Sequence, residues 1–319
     1  MNMRAAVLVA PRTFEIQEAQ APDPGPNQVR VRLEGCGICG SNLSPWEGRP
    51  WFNYPFAAGA PGHEGWGEIE AVGSGVTDFQ LGERVAFLSS NAFAEYDVAD
   101  FRAVVRLPPS LEKKPAPAEA LGCAFNVIRR SAIKPGDQVA VVGIGFLGAL
   151  ITALAARAGA EVIAIARRSF ALGLAQHYGA THLVTMDDHW RIIEEVKKLT
   201  SGRGCDCVIE AAGQQWPLDL AAELTRERGR LVVAGYHQDG PRQVNMQLWN
   251  WRGLDVINAH ERETSVYVQG MQEAIDAMAS GALNPSLLYT HSFPLERIAE
   301  GFAALEQRPG NFLKGLITL

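Results

Sequence analysis

Through the first third of the chain, apolar positions come in short runs cut by glycine and proline. Residues 28–33, 67–72 and 84–88 read as strands, with turn chemistry at Pro22-Asp23-Pro24-Gly25-Pro26 and Gly73-Ser74-Gly75. That pattern predicts a β-rich unit. Near Pro115 the texture changes. Residues 118–132 carry a helical apolar stripe, Lys134-Pro135-Gly136-Asp137 makes a turn, and 138–142 is a buried strand. An apolar helix over 145–157, a strand over 161–166 and a helix over 169–178 follow, and runs at 180–185, 205–211 and 230–234 continue the alternation. Strands alternating with helices of this length predict a parallel, doubly wound sheet. The last stretch holds helices at 267–279 and 295–307, a turn at 281–285 between them, and an apolar strand at 314–319. The expected architecture is therefore α/β. A β-rich domain (1–118 and 262–319) is interrupted by a second domain (119–261) built on the parallel sheet.

The composition adds limits. A chain of 319 residues with 47% hydrophobic and 20% charged residues can bury a sizeable core without disulfides. The net charge of −6 argues against holding nucleic acid or an anionic membrane through bulk charge, while leaving room for a local basic pocket. No apolar run approaches the roughly 18–20 residues of a membrane span. Pro11 interrupts the N-terminal apolar run too early for a signal peptide. The five cysteines, Cys36, Cys39, Cys123, Cys205 and Cys207, are too sparse for a disulfide framework, so a reducing cytoplasm is expected. No internal repeat or low-complexity tract is visible.

Gly143-Ile144-Gly145-Phe146-Leu147-Gly148 has the form G-x-G-x-x-G, placed after a predicted strand and opening a predicted helix. The first glycine permits the tight turn, the second lets backbone approach a pyrophosphate, and the third lets helix and strand pack closely. An ordinary αβ turn also uses glycines, but position and alternation here agree on a dinucleotide site. NAD-preferring sites place an acid at the end of the second strand to accept from the ribose 2′-OH. Here that place is Ala166, and Arg167-Arg168 follow. Two guanidiniums suit a 2′-phosphate, so NADP(H) preference is expected. The alternative is a solvated arginine pair, which a helix N-terminus disfavours.

Between two predicted strands lies Cys36-Gly37-Ile38-Cys39-Gly40-Ser41. Gly62-His63-Glu64 follows in the same domain, and Glu119 and Cys123 open the helix entering the second. Thiolate, imidazole and carboxylate are zinc's ligand set. With the further marks Gly82-Glu83-Arg84-Val85, Phe93-Ala94-Glu95-Tyr96, Gly229-Arg230-Leu231-Val232-Val233-Ala234-Gly235 and Lys314-Gly315-Leu316-Ile317, nearly the whole chain resembles the zinc-dependent medium-chain dehydrogenase/reductase family of alcohol, polyol and sugar dehydrogenases. The resemblance implies a GroES-like catalytic domain joined to a Rossmann domain, with the active site in the cleft between them. It implies zinc ligands at Cys39, His63 and Glu64. Glu119 matches the glutamate that polyol-type members place on or beside the metal, and Cys123 is its rival. Cys36 reads as a buried small residue.

Three departures from the family pattern stand out. The structural-zinc lobe is missing between Val85 and Tyr96, so one catalytic zinc and no second zinc is expected. Asn42 stands where most members have an aspartate that accepts from the metal-bound histidine, and its carbonyl oxygen is expected to accept instead. Ser44 replaces a histidine that passes the proton to solvent, so the proton must leave through Ser44, water or another group.

By resemblance, the metal polarises the substrate oxygen, Ser41 begins a proton relay, and hydride moves to or from the nicotinamide. Trp46, Trp51, Phe52, Tyr54, Trp249 and Trp251 could wall a pocket, sit in the core or line a subunit contact. The run His260-Glu261-Arg262-Glu263 could grip a polar substrate or be a solvated loop. Cys205 and Cys207 share one side of a strand, which suggests packing. The expected function is zinc-dependent hydride transfer between NADP(H) and an alcohol, polyol or sugar-derived hydroxyl. Its rivals are a zinc-free quinone or enone reductase and a non-catalytic NADPH-binding protein. The expected partner is a small-molecule alcohol or ketone, with no nucleic acid and no membrane. Family members are mostly homodimers or homotetramers.

Overall fold

Six strands in the middle of the chain form one parallel sheet, and those at 138–142 and 161–166 are apolar at nearly every position because both faces of the sheet are covered there. They are preceded by the opening hairpin, β1 (Asn2–Ala10) and β2 (Thr13–Gln20), and by β3 (Gln28–Ile38), β4 (Gly65–Val72), β5 (Arg84–Phe87), β6 (Tyr96–Asp100) and β7 (Val104–Arg106). The six are β8 (Gln138–Val142), β9 (Glu161–Ala166), β10 (His182–Thr185), β11 (Cys205–Glu210), β12 (Thr225–Val233) and β13 (Asp255–Asn258). Last come β14 (Tyr289–Pro294) and β15 (Lys314–Thr318). The computed structural model describes residues 1–319.

The chain divides into two compact units, Met1–Gly122 with Arg262–Leu319, and Cys123–Glu261. The first segment reaches Gly122 rather than residue 118, because the helix Ala118–Ser131 contributes its first turn to the first unit. In the second unit the sheet order is β10-β9-β8-β11-β12-β13, with every pairing parallel. Counted from β8, that is the 3-2-1-4-5-6 order of a Rossmann sheet, whose strand order turns about between β8 and β11. Its core joins Ile163, Ile165, Val208, Leu220 and Leu231.

The first unit holds the β1–β2 hairpin and a seven-stranded sheet, ordered β14-β15-β3-β4-β5-β7 with β6 also on β3. Phe87, Phe93, Phe302, Ile38, Ile69 and Trp46 fill its core. The chain between β5 and β6 is tied by Asp97. Its carboxylate is 1% exposed and accepts from the backbone N–H groups of Ser90 (3.2 Å), Asn91 (2.9 Å) and Val98 (2.8 Å). No helix is long and apolar enough to cross a membrane.

Candidate active site

β3 runs antiparallel to both β4 and β15, so its C-terminal end lies beside their N-terminal ends. The register sets Cys36 opposite Gly65 and Ile38 opposite Gly315. Three residues at those strand ends therefore meet: Cys39 just after β3, Glu64 just before β4, and Lys314 opening β15. His63 joins them as the neighbour of Glu64. The Cys39 sulfur, a His63 ring nitrogen and a Glu64 carboxylate oxygen all lie within 4.8 Å of one another.

Glu64 is fully buried, and so nearly is its partner: Lys314 Nζ stands 2.5 Å away, with the two side chains 0% and 4% exposed. The ammonium donates to Oε1 and stands 2.5 Å from Oε2 as well, so it faces both carboxylate oxygens. A buried carboxylate beside a thiol and an imidazole is a donor set that zinc completes. Gly37 makes room for it. A Cβ there would fall 1.8 Å from Glu64 Oε2 and 3.0 Å from Lys314 Cε. Burial works against the Lys314 charge, but Glu64, Cys39 and Glu119 outweigh it and raise the pKa.

His63 obeys the same balance. Burial disfavours its charge, yet Cys39, Glu119 and Glu64 together push it up to about 10 in the metal-free protein. Its Nδ1 lies 3.0 Å from the carbonyl oxygen of Pro61. A carbonyl can only accept, so Nδ1 carries a proton and Nε2 is the nitrogen available to a metal. Nε2 also stands 3.4 Å from Ser41 Oγ. The expectation for Asn42 needs correcting, because Pro61 takes the place assigned to it. Asn42 Oδ1 accepts from Cys39 N at 2.9 Å and Nδ2 donates to Pro61 O at 3.1 Å. Its amide is engaged in closing the 3-10 turn Gly40–Asn42, and that turn sets the Cys39 backbone.

Glu119 sits half-buried in the first turn of its helix. It lies outside the 4.8 Å group, but its charge is felt at both His63 and Lys314. Cys123, also half-buried, follows one turn later. Ser44 is buried. Cys36 is fully buried, donates to Gly37 O at 3.4 Å, and has its thiol pKa held well above the usual value by burial. Trp46 belongs to the core, stacked on Phe14 and donating to Glu306 at 2.8 Å, whereas Trp51 and Trp251 are exposed. Cys205 and Cys207 are both fully buried in β11.

In the second unit, Gly143 follows β8 with φ +101°, a conformation that suits glycine. Gly145 caps the helix Phe146–Arg157, so Phe146, Leu147 and Gly148 form its first turn. A Cβ on Gly148 would fall 2.0 Å from Gly143 O, while one on Gly145 would meet nothing within 4 Å. The turn is thus tight on the protein side and open at Gly145, where the positive end of the helix dipole favours an anion. Ala166 is buried at the end of β9, Arg167 is exposed and Arg168 half-buried.

Lys314, Gly37 and Pro61 escaped the sequence reading as site residues. Only Lys314 carried a signal: it is the single charge in Phe312-Leu313-Lys314-Gly315-Leu316-Ile317, and a buried lysine requires a partner.

Comparison with known proteins bears on both units. Residues 25–109 match the alcohol dehydrogenase GroES-like domain, and residues 147–280 match the zinc-binding dehydrogenase domain. Sorbitol dehydrogenase of Bacillus subtilis is 28% identical, over 99% of this chain and 97% of its own. L-galactonate-5-dehydrogenase of Escherichia coli is 25% identical, over 99% of each chain. Among solved structures, 2R,3R-butanediol dehydrogenase from Bacillus subtilis superposes with a TM-score of 0.85 at 24% identity, covering 99% of both chains. A proposed zinc-binding dehydrogenase from Sinorhizobium meliloti, bound to NADP, gives 0.87 at 24% identity, covering 100% of both.

Proposed function

From the chain's membership of the zinc-binding medium-chain dehydrogenase family, to which it belongs through both of its domains, we propose that it transfers hydride between NADP(H) and a secondary hydroxyl of a polyol or sugar acid. The observation that carries this reading is the meeting of Cys39, His63 and the buried Glu64, whose donor atoms lie within 4.8 Å of one another. Those residues would hold one catalytic zinc, with Glu119 completing the site in preference to Cys123. Bound zinc supplies Lewis acidity that favours the deprotonated hydroxyl, and bound nicotinamide supplies the hydride acceptor.

The remaining work falls to the chain itself. Lys314 pairs with Glu64 and balances its charge in the buried site. Pro61 O fixes the His63 tautomer. Ser41 Oγ would accept the substrate hydroxyl proton while its own proton leaves to solvent water. Open space at Gly145 and the helix dipole suit a pyrophosphate, and Arg167 with Arg168 suits a 2′-phosphate in the absence of an acid at Ala166.

The test combines zinc analysis of the purified protein with a screen of alcohols, polyols, cyclitols and sugar acids, each with NADP⁺ and NAD⁺. Zinc near one per chain and turnover favouring NADP⁺ are expected. An Arg167→Ala/Arg168→Ala double variant should narrow the cofactor preference. Activity in protein with no bound zinc, or equal affinity of the intact protein for both cofactors, would overturn the corresponding part of the reading.

A further inference from the structure

A second buried ionic group lies in the second unit, where the parallel sheet ends. Glu210 is the last residue of β11 and is 0% exposed. Its Oε1 accepts from the backbone N–H groups of Ala212 and Gly213, each at 2.7 Å. Its Oε2 is 3.0 Å from His237 Nε2. On the other side of the ring, Arg242 Nε donates to His237 Nδ1 at 2.8 Å. Arg242 also donates to Gly213 O at 3.0 Å and pairs with Asp239. The bonds close a circuit: Glu210 to His237, to Arg242, to Gly213, and back to Glu210. Only one tautomer satisfies it, with the proton on Nε2 and the lone pair on Nδ1.

The place of this circuit matters. Ala212 packs on Gly143, the first glycine of the dinucleotide turn: a Cβ added there would lie 2.9 Å from Ala212 Cβ and 3.0 Å from Ala212 N. β11 and β8 are neighbours, and the strand order turns about between them, which is where doubly wound sheets bind their ligand. Gly235, two residues past β12, is pressed against the same loop, since its added Cβ would fall 2.2 Å from Gly213 N and 2.6 Å from Glu210 Oε2. The circuit therefore fixes 211–213 and 236–242 at the rim of the crevice. A fully buried carboxylate is an expensive way to gain stability, and such groups are often replaceable by apolar ones without loss. Its retention calls for another reason.

We propose that Glu210, His237 and Arg242 are positioning residues for the dinucleotide. They hold the loop after β11 against the glycine-rich turn, so that the crevice is preformed before cofactor arrives. This rests on the dinucleotide reading given above. The expected ligand is NADPH or NADH, bound less tightly once the loops are free to move.

The test measures NADPH and NADH affinity by fluorescence titration, steady-state kinetics and thermal unfolding for His237→Leu, Arg242→Met, their double variant and His237→Gln. Removing one member of a charge-assisted chain should weaken dinucleotide binding by about tenfold or more. The loss should fall on the dinucleotide Kd and KM and far less on kcat. The double variant should be little worse than either single one, because both break one circuit. His237→Gln keeps an N–H at the Nε2 position and should lose less than His237→Leu. If the melting temperature falls while dinucleotide affinity stays within about twofold, the circuit is merely structural and the proposal fails. Should His237→Leu not fold, His237→Gln and Arg242→Met decide by the same affinity criterion. If the intact protein binds neither dinucleotide, the cofactor reading itself falls, and this proposal with it.

Discussion

Replacing Lys314 by methionine removes one charge and keeps an unbranched side chain of similar length. At the 2.5 Å separation of Lys314 Nζ and Glu64, the gross attraction is about 7 kcal/mol at an effective dielectric constant of about 20. Most of that offsets the cost of desolvating the two ions. What counts is the charge left behind. Stranding one member of a buried pair costs about 3–5 kcal/mol. The loss belongs to the metal-free protein, since a bound divalent ion would itself offset the charge of Glu64. Urea unfolding of chelator-treated and zinc-loaded Lys314→Met, each against the parent, measures it. A loss of about 4 kcal/mol without zinc and less than half of that with zinc is expected. The difference of about 2 kcal/mol should reappear as zinc binding tightened by about thirtyfold. Equal losses in the two forms, or a loss below about 1 kcal/mol in the metal-free form, would show that Glu64 and the metal do not share this lysine.

Gly37→Ala brings a Cβ to 1.8 Å from Glu64 Oε2, so Glu64 must move; zinc affinity should fall by about a hundredfold in a protein that still folds, as read by metal competition and circular dichroism. In native protein at pH 8, a thiol reagent should label at most Cys39 and Cys123, because burial pushes the Cys205 and Cys207 thiols up to about 12 and Cys36 well above its usual value; early labelling of Cys205 or Cys207 would contradict the packing described. His63, raised to about 10 in the metal-free protein, lends stability in full below about 6.5, and that contribution fades as the pH rises toward 10. Chelator-treated protein should accordingly lose stability across that interval relative to His63→Gln, and parallel pH profiles for the two would refute the assignment.

Some of this was legible in the sequence. The second unit announced itself because parallel strands such as β8 and β9 are apolar at almost every position, and the glycines between strand and helix carry their own geometry. The helices His189–Leu199 and Gln215–Leu224 went unread between better-marked runs. So did β2, whose burial pattern is almost wholly exposed and leaves no alternation to detect. Cys39, His63, Glu64 and Glu119 were named through residue type and resemblance. Lys314 was not given a role, because its partner lies 250 positions away and only strand register brings them together. The Asn42 reading went astray over a backbone carbonyl, a group every residue owns and no sequence pattern marks.

The return of residues 262–319 to the first unit has a consequence for biosynthesis. As the chain leaves the ribosome, Cys39, His63 and Glu64 emerge early, and the whole of Cys123–Glu261 must be made before β15 can take its place beside β3. Until then Glu64 lacks its ammonium counterion, and the nascent sheet shows an unpaired edge to solvent. Domains tend to fold as units in order of synthesis. Here the nucleotide-binding half is free to fold while its elder sibling waits, and the metal pocket is among the last parts of the protein to mature.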